Sequence, residues 1–264
     1  MNNRRLLTAL TVSAAIFSCA ACSDTATDES ETATTDAAET ESPETTDTGS
    51  TEERPGQLLR HAVFFKFKES SSAEDVQGVV DAFRALPEKL SSIVGFQYGT
   101  NNSPEDHDDG FTHCFLLSFK TASDRDEYIV APAHSGEFAD VLRPHMEAAF
   151  VVDYWGDVYE PMEKELKHCV FFKFKDDADP ADVKKVEEAF AALPSKIDGI
   201  KAFEWGTNNS PEKNDDGFTH CFMVTFDSEA GREQYLPHPD HKAFVEVLLP
   251  VLDKVRVLDF WDGE

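Results

Sequence analysis

Apolar residues recur along the chain at two spacings, which separate predicted strands from predicted helices. Residues 61–68 are rich in Val and Phe with polar residues among them, a composition typical of a β-strand. The apolar residues of segment 76–86 are instead three or four positions apart, the spacing of one helix face. Serines at 70–72 precede that segment and are common helix N-caps, so a helix is predicted to start there.

The rest of this unit continues with short elements. Strands are predicted at residues 96–99 and 111–119, short helices at 123–130 and 135–146, and a last strand at 149–154. The order is therefore strand, helix, strand, strand, helix pair, strand. This order predicts an α+β fold, in which helices cover one face of an antiparallel sheet.

The whole unit occurs twice in the chain. Residues 61–134 and 168–241 align without a gap at an offset of 107, with 38 identities in 74 positions. After these segments the second copy lacks one residue, and the offset becomes 106. The string Gly-Thr-Asn-Asn-Ser-Pro-Glu, for example, stands at 99–105 and again at 206–212. Two repeats of this length predict two similar modules rather than a solenoid of short units.

Both faces of the predicted third strand are apolar, since side chains alternate between the faces of a strand. One face holds Phe111, His113, Phe115, Leu117 and Phe119, and the other holds Thr112, Cys114, Leu116 and Ser118. Helices cover only one face, and a bare apolar face would exceed the patch that soluble proteins normally expose. We therefore expect the modules, at residues 58–156 and 166–262, to close sheet against sheet into an α/β barrel within one chain.

The charge of the chain restricts the kind of partner it binds. With 24 Lys and Arg against 51 Asp and Glu, the net charge is −27. Non-specific nucleic-acid binding depends on basic residues that displace counterions from phosphates, so nucleic acid is not expected as a partner. A hydrophobic content of 41%, with 21 Phe, is sufficient for a packed core and excludes a wholly disordered chain.

The first 22 residues, 1–22, have the pattern of a secretory signal. A basic segment with Arg4 and Arg5 precedes an apolar run at 6–17 and small residues ahead of Cys22. The run is too short to span a bilayer, which needs about 20 apolar residues. The pattern resembles a bacterial lipoprotein signal with Cys22 as the lipidated residue. Because Cys19 departs from that motif, cleavage by an ordinary signal peptidase and an uncleaved anchor stay open as alternatives.

Residues 23–57 are rich in Thr, Ser, Asp and Glu and contain no aromatic residue. Such a segment buries too little apolar surface to offset the entropy of ordering, so we expect a disordered acidic tether. Signal and tether together predict a protein that is secreted across the cytoplasmic membrane. We expect a lipid anchor on Cys22 to hold it to the membrane, on the periplasmic side or at the cell surface.

Three short motifs resemble a known family. They are His-x-Val-Phe-Phe-Lys-Phe-Lys at 61–68 and 168–175, Gly-Phe-Thr-His-Cys-Phe at 110–115, and Tyr-Leu-Pro-His-Pro-Asp-His at 235–241. Together they resemble the stress-responsive α/β-barrel, or Dabb, domain family. The resemblance implies a ferredoxin-like βαββαβ module that dimerises into an α/β barrel, so the two modules are expected to form that dimer within one chain.

The resemblance also implies a set of site residues. A plant polyketide cyclase of this family closes an aldol ring with a Tyr and a His six residues later, and that pair matches Tyr128 with His134 and Tyr235 with His241. Two further pocket histidines of that enzyme match His61 and His113 in the first module, and His168 and His220 in the second. The apolar residues expected to contact a ligand beside them are Phe65, Phe115, Phe172 and Phe222. The first module departs from the pattern at Ala131, where the second has His238.

These side chains suit acid–base chemistry, because a neutral His accepts a proton near pH 7 and a Tyr polarises a carbonyl. Three functions are open. The leading hypothesis is binding of a small, largely apolar molecule in pockets between sheet and helices. The second is a cyclase-like aldol or enolisation reaction on a carbonyl substrate. The third is a structural or interaction role in envelope stress, with filled pockets.

Metal binding is not expected, because the chain has no His-x-x-x-His or His-Glu-x-x-His pair, and no cofactor is predicted. The acidic segment 105–109 lacks the alternating spacing of a calcium loop and is interpreted as a solvated turn. Three cysteines, Cys114, Cys169 and Cys221, are interpreted as buried small apolar residues, with a Cys114–Cys221 bridge between the modules as the alternative.

Overall fold

The fold is given by a computed structural model that describes residues 51–264. The predicted signal, Cys22 and most of the predicted tether lie outside the described residues. The strands of the first module are β1 (Gln57–Phe67), β2 (Gly95–Thr100), β3 (His113–Phe119) and β4 (Met146–Asp157). Its helices are α1 (Ala73–Arg84), α2 (Leu86–Lys89), α3 (Ala122–Val130) and α4 (Ala139–Leu142), with a π-helix at Pro132–Phe138 between the last two.

The second module repeats this order. Its strands are β5 (Leu166–Phe174), β6 (Ala202–Thr207), β7 (His220–Phe226) and β8 (Leu252–Trp261). Its helices are α5 (Pro180–Ala191), α6 (Glu229–Tyr235) and α7 (Pro239–Leu248), with a 3₁₀ turn at Leu193–Ser195. Within residues 51–264, every helix is too short or too polar to cross a membrane.

Capping chemistry sets where the first long helix of each module begins. The Ser72 hydroxyl accepts from the main-chain N–H of Asp75, and the Asp75 carboxylate accepts from the main-chain N–H of Ser72. This reciprocal pair satisfies two donors at the start of α1. In the second module Asp179 caps α5 and Pro180 takes its first position.

Each module forms one antiparallel four-stranded sheet. The strand order is β2-β3-β1-β4 in the first sheet and β6-β7-β5-β8 in the second. In the first sheet His61 pairs with Leu117 and Phe65 pairs with His113. The helices of each module cover one face of its sheet. The predicted α+β fold with two ferredoxin-like modules is therefore confirmed.

The other faces of the two sheets pack together and form the interior of a barrel. Phe64 and Phe171 hold equivalent positions in β1 and β5, and their rings meet edge to face with centroids 5.3 Å apart. Other buried residues of this inter-sheet core are Ala62, Cys114, Phe150, Val152 and Tyr154 from the first module, and Cys169, Cys221, Met223, Leu258 and Phe260 from the second. Each large apolar side chain buried there contributes roughly 1.5–3 kcal/mol, so the expected closure of sheet against sheet is well supported energetically.

The three cysteines Cys114, Cys169 and Cys221 are free thiols in the inter-sheet core. Burial raises the pKa of each thiol well above its ordinary value, so the thiols stay protonated. A protonated, fully enclosed thiol is a poor nucleophile and packs as a small apolar group. The bridge between Cys114 and Cys221 is not formed.

One residue of the predicted third strand faces the other way. β3 begins at His113, and Phe111 lies in the inter-sheet core rather than on the helix-covered face. The turn before it has positive φ angles at Asp109 (51°) and Gly110 (83°), so the side-chain alternation does not extend back through it. The Arg256 guanidinium lies 4.7 Å from the centroid of the Phe111 ring and caps this end of the core.

Candidate functional site

A cavity lies between the sheet and the helices of each module. The first cavity, of about 210 Å³, is lined from the first module by His61, Val63, Phe65, Phe83, Tyr128, His134, Phe138 and Val151. The second cavity, of about 200 Å³, is lined by the equivalent residues His168, Val170, Phe172, Phe190, Tyr235, His241, Phe244 and Val257. Both walls are mainly apolar, with a small number of polar side chains among them. This composition is typical of a site for a small organic ligand.

Tyr128 and His134 lie against each other at the first cavity, because α3 ends at Val130 and the chain turns back in the π-helix. Their ring centroids are 4.3 Å apart. His134 Nδ1 lies 3.1 Å from the main-chain oxygen of Ile129, so a neutral ring donates there and keeps Nε2 as an acceptor. Burial lowers the pKa of His134 and raises the pKa of Tyr128 well above its ordinary value. Both side chains are therefore uncharged at neutral pH.

His61 is held by a chain of buried charges. Its Nδ1 lies 2.7 Å from Asp153 Oδ1, and the other oxygen of Asp153 accepts from Arg125 Nη1. All three side chains are buried. Burial alone would lower the pKa of His61, but the nearby carboxylates, chiefly Asp153, together outweigh burial and raise that pKa above its ordinary value. The first cavity therefore holds two histidines, His61 and His134, whose pKa values are shifted in opposite directions, a pattern typical of acid–base sites.

The second cavity repeats this arrangement. His168 Nδ1 lies 2.7 Å from Asp259, which accepts from Arg232 at 2.8 Å. The rings of Tyr235 and His241 have centroids 4.3 Å apart, as in the first cavity. Burial lowers the pKa of His241 to about 4, so this histidine also stays neutral at pH 7.

Each cavity is completed by a carboxylate from the opposite module. Glu212 Oε2 lies 3.7 Å from His61 Nε2, and Glu105 Oε2 lies 3.8 Å from His168 Nε2. Both glutamates end the repeated string Gly-Thr-Asn-Asn-Ser-Pro-Glu. The interpretation of segment 105–109 as a solvated turn is wrong for Glu105, because its Oε2 is enclosed where the residue lines the second cavity.

The asparagines of the same string hold it against the opposite module. Asn208 Oδ1 accepts from the main-chain N–H of Asp153 at 3.1 Å, and the Asn209 N–H donates to the main-chain oxygen of Asp153 at 2.9 Å. The equivalent asparagines of the first module make the same contacts at the second cavity. The residue that orients His61 is therefore also the anchor of the loop that carries Glu212.

Two polar atoms at each cavity are enclosed and have no hydrogen-bond partner. They are Tyr128 Oη and Glu212 Oε2 at the first cavity, and Tyr235 Oη and Glu105 Oε2 at the second. Buried polar atoms of folded proteins are paired in the large majority of cases. The same two kinds of atom are therefore unpaired at both cavities.

The chemistry offered by these groups is the transfer of protons and hydrogen bonds. Each cavity combines a neutral His acceptor, a protonated Tyr donor, a second His supported by Asp, and a carboxylate. Over residues 51–264 there is no group of three or more His, Cys, Asp or Glu side chains arranged to hold a metal ion. The side chains present are those of general acid–base sites.

The predicted site residues separate into two groups. The tyrosines Tyr128 and Tyr235 line the cavities together with Phe65, Phe172 and the histidines His61, His134, His168 and His241. His113 and His220 do not line them. In the register of the first sheet His113 pairs with Phe65, four residues from His61 and therefore about 13 Å along the strand. Phe115 and Phe222 are buried in the helix-covered cores beside the cavities.

His113 and His220 have other surroundings. His113 lines a separate pocket with Arg84 and Tyr98, and burial lowers its pKa. His220 Nε2 lies 3.1 Å from the Glu187 carboxylate on α5. The two histidines therefore lie at the first residues of the inner strands β3 and β7 rather than in the cavity walls.

The two cavities differ in detail. Between the site tyrosine and the last strand, the first module has one residue more than the second, and the chain accommodates it as the π-helix where the second module has the regular helix α7. His238 caps α7 by accepting from the main-chain N–H of Asp240. The equivalent residue of the first module is Ala131, whose side chain cannot accept a hydrogen bond. Asn214 lines the first cavity where His107 lines the second.

Comparison with known proteins identifies relatives of each module. A family model described as "Stress responsive A/B Barrel Domain" (Dabb) matches residues 59–156 and 166–262. The stress-response A/B barrel domain-containing protein HS1 of Arabidopsis thaliana is 36% identical over 101 residues, which are 38% of this chain and 93% of that protein. Olivetolic acid cyclase of Cannabis sativa is 28% identical over 95 residues, which are 36% of this chain and 94% of that protein. Each relative therefore corresponds in length to one module.

A solved structure resembles the chain over both modules. The putative monooxygenase of Fusobacterium nucleatum subsp. nucleatum matches 78% of this chain and 93% of its own, with a TM-score of 0.55 and 11% sequence identity. At that identity the likeness shows the fold alone.

Proposed function

Since the chain belongs to the stress-responsive A/B barrel domain (Dabb) family, with two copies of the domain, we propose that it binds a small, largely apolar molecule in each of its two cavities. The observation that carries the proposal is the unpaired Tyr hydroxyl and Glu carboxylate oxygen at each cavity. A purely structural module has no need of a repeated hollow with unpaired polar atoms, because such atoms destabilise an empty site.

The cavity volume supports a ligand with an aromatic or compact alkyl body. An apolar cavity of about 150 Å³ accommodates benzene. The cavities here are about 200 and 210 Å³, so each has room for a ring with a short substituent. The Phe residues of the wall provide the apolar contact, and the polar groups fix the orientation of the ligand.

Native mass spectrometry of the protein purified from its own cells tests the proposal. We expect up to two copies of a small organic molecule to be bound to each chain and to be released on unfolding. A spectrum of the ligand-free protein only, combined with the absence of binding of a probe such as 4-propylphenol, would contradict the proposal.

We also propose that the protein is exported and anchored through a lipid on Cys22, as the signal pattern at 1–22 suggests. The same mass spectrum tests this proposal independently of any ligand. The expected chain begins at Cys22 with an added diacylglyceryl group. A chain that retains Met1, or one that begins at another residue without lipid, contradicts it.

A second candidate function is an enolisation or aldol reaction on a carbonyl substrate. The observation that favours it is the fixed tautomer of His134, whose Nε2 is left to accept a proton beside the Tyr128 hydroxyl. His134 Nε2 would take the α-proton of a ketone, and Tyr128 would donate a hydrogen bond to the developing enolate oxygen. The 28% identity with olivetolic acid cyclase supports this reaction class.

Deuterium exchange distinguishes the enzyme from the binder. Acetophenone in D₂O should exchange its methyl protons faster with the protein than without it, as followed by proton NMR. The variant with Tyr128→Phe, His134→Ala, Tyr235→Phe and His241→Ala should lose that acceleration. Retained affinity with no acceleration in the unmodified protein would leave binding as the function.

A further inference from the structure

The carboxylates Glu212 and Glu105 are the parts of the two cavities that come from the opposite module. Neither Oε2 atom has a hydrogen-bond donor, although both are enclosed. The distance from Glu212 Oε2 to His61 Nε2 is 3.7 Å, which is longer than a hydrogen bond. Each carboxylate therefore has an acceptor position that the folded chain leaves unused.

The tyrosine at each cavity has a hydroxyl donor without an acceptor, whereas the glutamate has an acceptor without a donor. Tyr128 Oη is enclosed with no acceptor for its proton, and burial keeps that hydroxyl protonated by raising its pKa. Burial is the main cause of this shift and the charge of Glu212 adds to it, and both residues line the first cavity. Tyr235 and Glu105 have the same relation at the second cavity.

A ligand hydroxyl satisfies both groups at once. A hydroxyl oxygen accepts a hydrogen bond from the tyrosine and donates its own proton to the carboxylate. A carbonyl or ether oxygen accepts but does not donate, so it leaves the carboxylate oxygen buried without a partner. That omission is costly, because an enclosed acceptor without a donor has lost its hydrogen bonds to water and gains none in return.

We propose that Glu212 and Glu105 are specificity-determining residues, which select a ligand whose polar group is a phenol, enol or alcohol over one that carries only an ether or carbonyl oxygen. The inference rests on the proposed binding function and deepens it. Selection acts between modules, since each glutamate belongs to the module that does not supply the tyrosine.

The position of the selecting carboxylate is fixed by the fold. The loop that carries Glu212 is hydrogen-bonded at Asn208 and Asn209 to the main chain of Asp153, and the main-chain oxygen of Asn214 accepts from the Val151 N–H at 2.9 Å. Contacts on both sides of Glu212 hold the loop against β4. A rigid acceptor discriminates between ligands better than a mobile one, because it does not adjust to a ligand that fails to donate.

Two isomeric probes isolate the hydrogen bond from the apolar contact. 4-Propylphenol and 4-ethylanisole have the same molecular formula and an aromatic ring, but only the phenol donates a hydrogen bond. Dissociation constants of both probes are measured by NMR titration of the full chain. We expect the phenol to bind about 10-fold or more tightly than the ether.

The double variant Glu105→Gln with Glu212→Gln tests the origin of that preference. We expect it to bind the two isomers with similar affinity, because the neutral amide is a weaker acceptor and its nitrogen donates instead. A second double variant, Glu105→Asp with Glu212→Asp, keeps the charge but withdraws the carboxylate, and it should lose the preference as well. The control is Glu127→Gln, an exposed residue of α3, which should retain the full preference.

The outcomes separate the inference from the proposed function. Equal affinities of the unmodified protein for both isomers, or a preference that survives in both double variants, overturn the role of the glutamates while the binding function stands. Failure of the unmodified protein to bind either isomer overturns the proposed function and the inference with it.

Discussion

The Nε2 atom of His61 lies 3.7 Å from Oε2 of Glu212, a residue of the other module. The second cavity has the same relation between His168 and Glu105, at 3.8 Å. Each cavity is therefore assembled from both halves of the chain, and a single module contains only part of the site. Fusion of the two modules keeps the parts together at any protein concentration, because the second association is intramolecular.

Asp153 should be the most sensitive polar residue of the first module. The variant Asp153→Asn removes the buried carboxylate that pairs with both His61 and Arg125, and it leaves the Arg125 charge buried with only the partly exposed Asp126 as a partner. Breaking a buried pair in this way costs about 3–5 kcal/mol of the free energy of unfolding. Urea denaturation of the variant and the unmodified protein measures the difference.

The matched control for this variant is Asp126→Asn. Asp126 also pairs with Arg125, but its side chain is 38% exposed. An exposed pair contributes about 0–1 kcal/mol, so this substitution should change the free energy of unfolding very little. Equal losses in the two variants would show that burial does not set the strength of these contacts.

The pKa values of the histidines at the cavities should be shifted in opposite directions from the ordinary value of about 6.5. NMR titration should find the pKa of His241 at about 4, because burial disfavours its charge, and the pKa of His61 above its ordinary value, because of Asp153. The contribution of His241 to the free energy of unfolding is lost as the pH falls from about 6.5 towards 4, since the unfolded chain binds more protons than the folded chain in this range. The contribution of His61 to the free energy of unfolding is lost as the pH rises through the raised pKa of this histidine.

Asp153→Asn supplies the check on that assignment. It should lower the pKa of His61 without changing the pKa of His241, which lies at the other cavity. Two histidines with the same pKa in the unmodified protein would contradict the opposed environments described for them.

Gly99 should not tolerate a side chain. A Cβ atom at this position would lie 2.4 Å from the main-chain oxygen of Trp261, where β2 meets β8. Gly99→Ala should therefore destabilise the protein by about 1–3 kcal/mol in urea denaturation. Gly78→Ala is the control, because a Cβ there meets nothing within 4 Å, and it should stabilise helix α1 by about 0.5–1 kcal/mol. Equal destabilisation by Gly99→Ala and Gly78→Ala would show that β2 and β8 are not closely packed at Gly99.

The fold was largely predictable because two local signals agree. Alternation in β1 and β3 places Phe64 and Cys114 opposite Phe65 and Phe115, and the repeat supplies a second sheet to cover the exposed apolar face. The prediction failed for Phe111, since this residue lies between a turn with positive φ angles and the first residue of β3, outside the strand. A strand pattern holds only where the backbone is extended.

The candidate site was predictable in part. Tyr128 and His134 are close in sequence, so a family motif finds them together. Glu212 was missed because its approach to His61 depends on the pairing of the two modules, and an acidic loop resembles a solvated turn when it is seen alone. Asp153 had a visible signal, as an acid within an otherwise apolar strand that recurs at Asp259. A charge buried in a strand needs a partner, which points to nearby His and Arg side chains.

The number of ligand molecules bound per chain tests the central claim most directly. Ala139 lines the first cavity and Val245 holds the equivalent position in the second, so Ala139→Phe and Val245→Phe should each fill one cavity. Equilibrium dialysis with saturating 4-propylphenol should then give two molecules per unmodified chain, one for either single variant and none for the double variant. A number that neither substitution changes, or no binding to the unmodified chain, would contradict the account of two equivalent cavities.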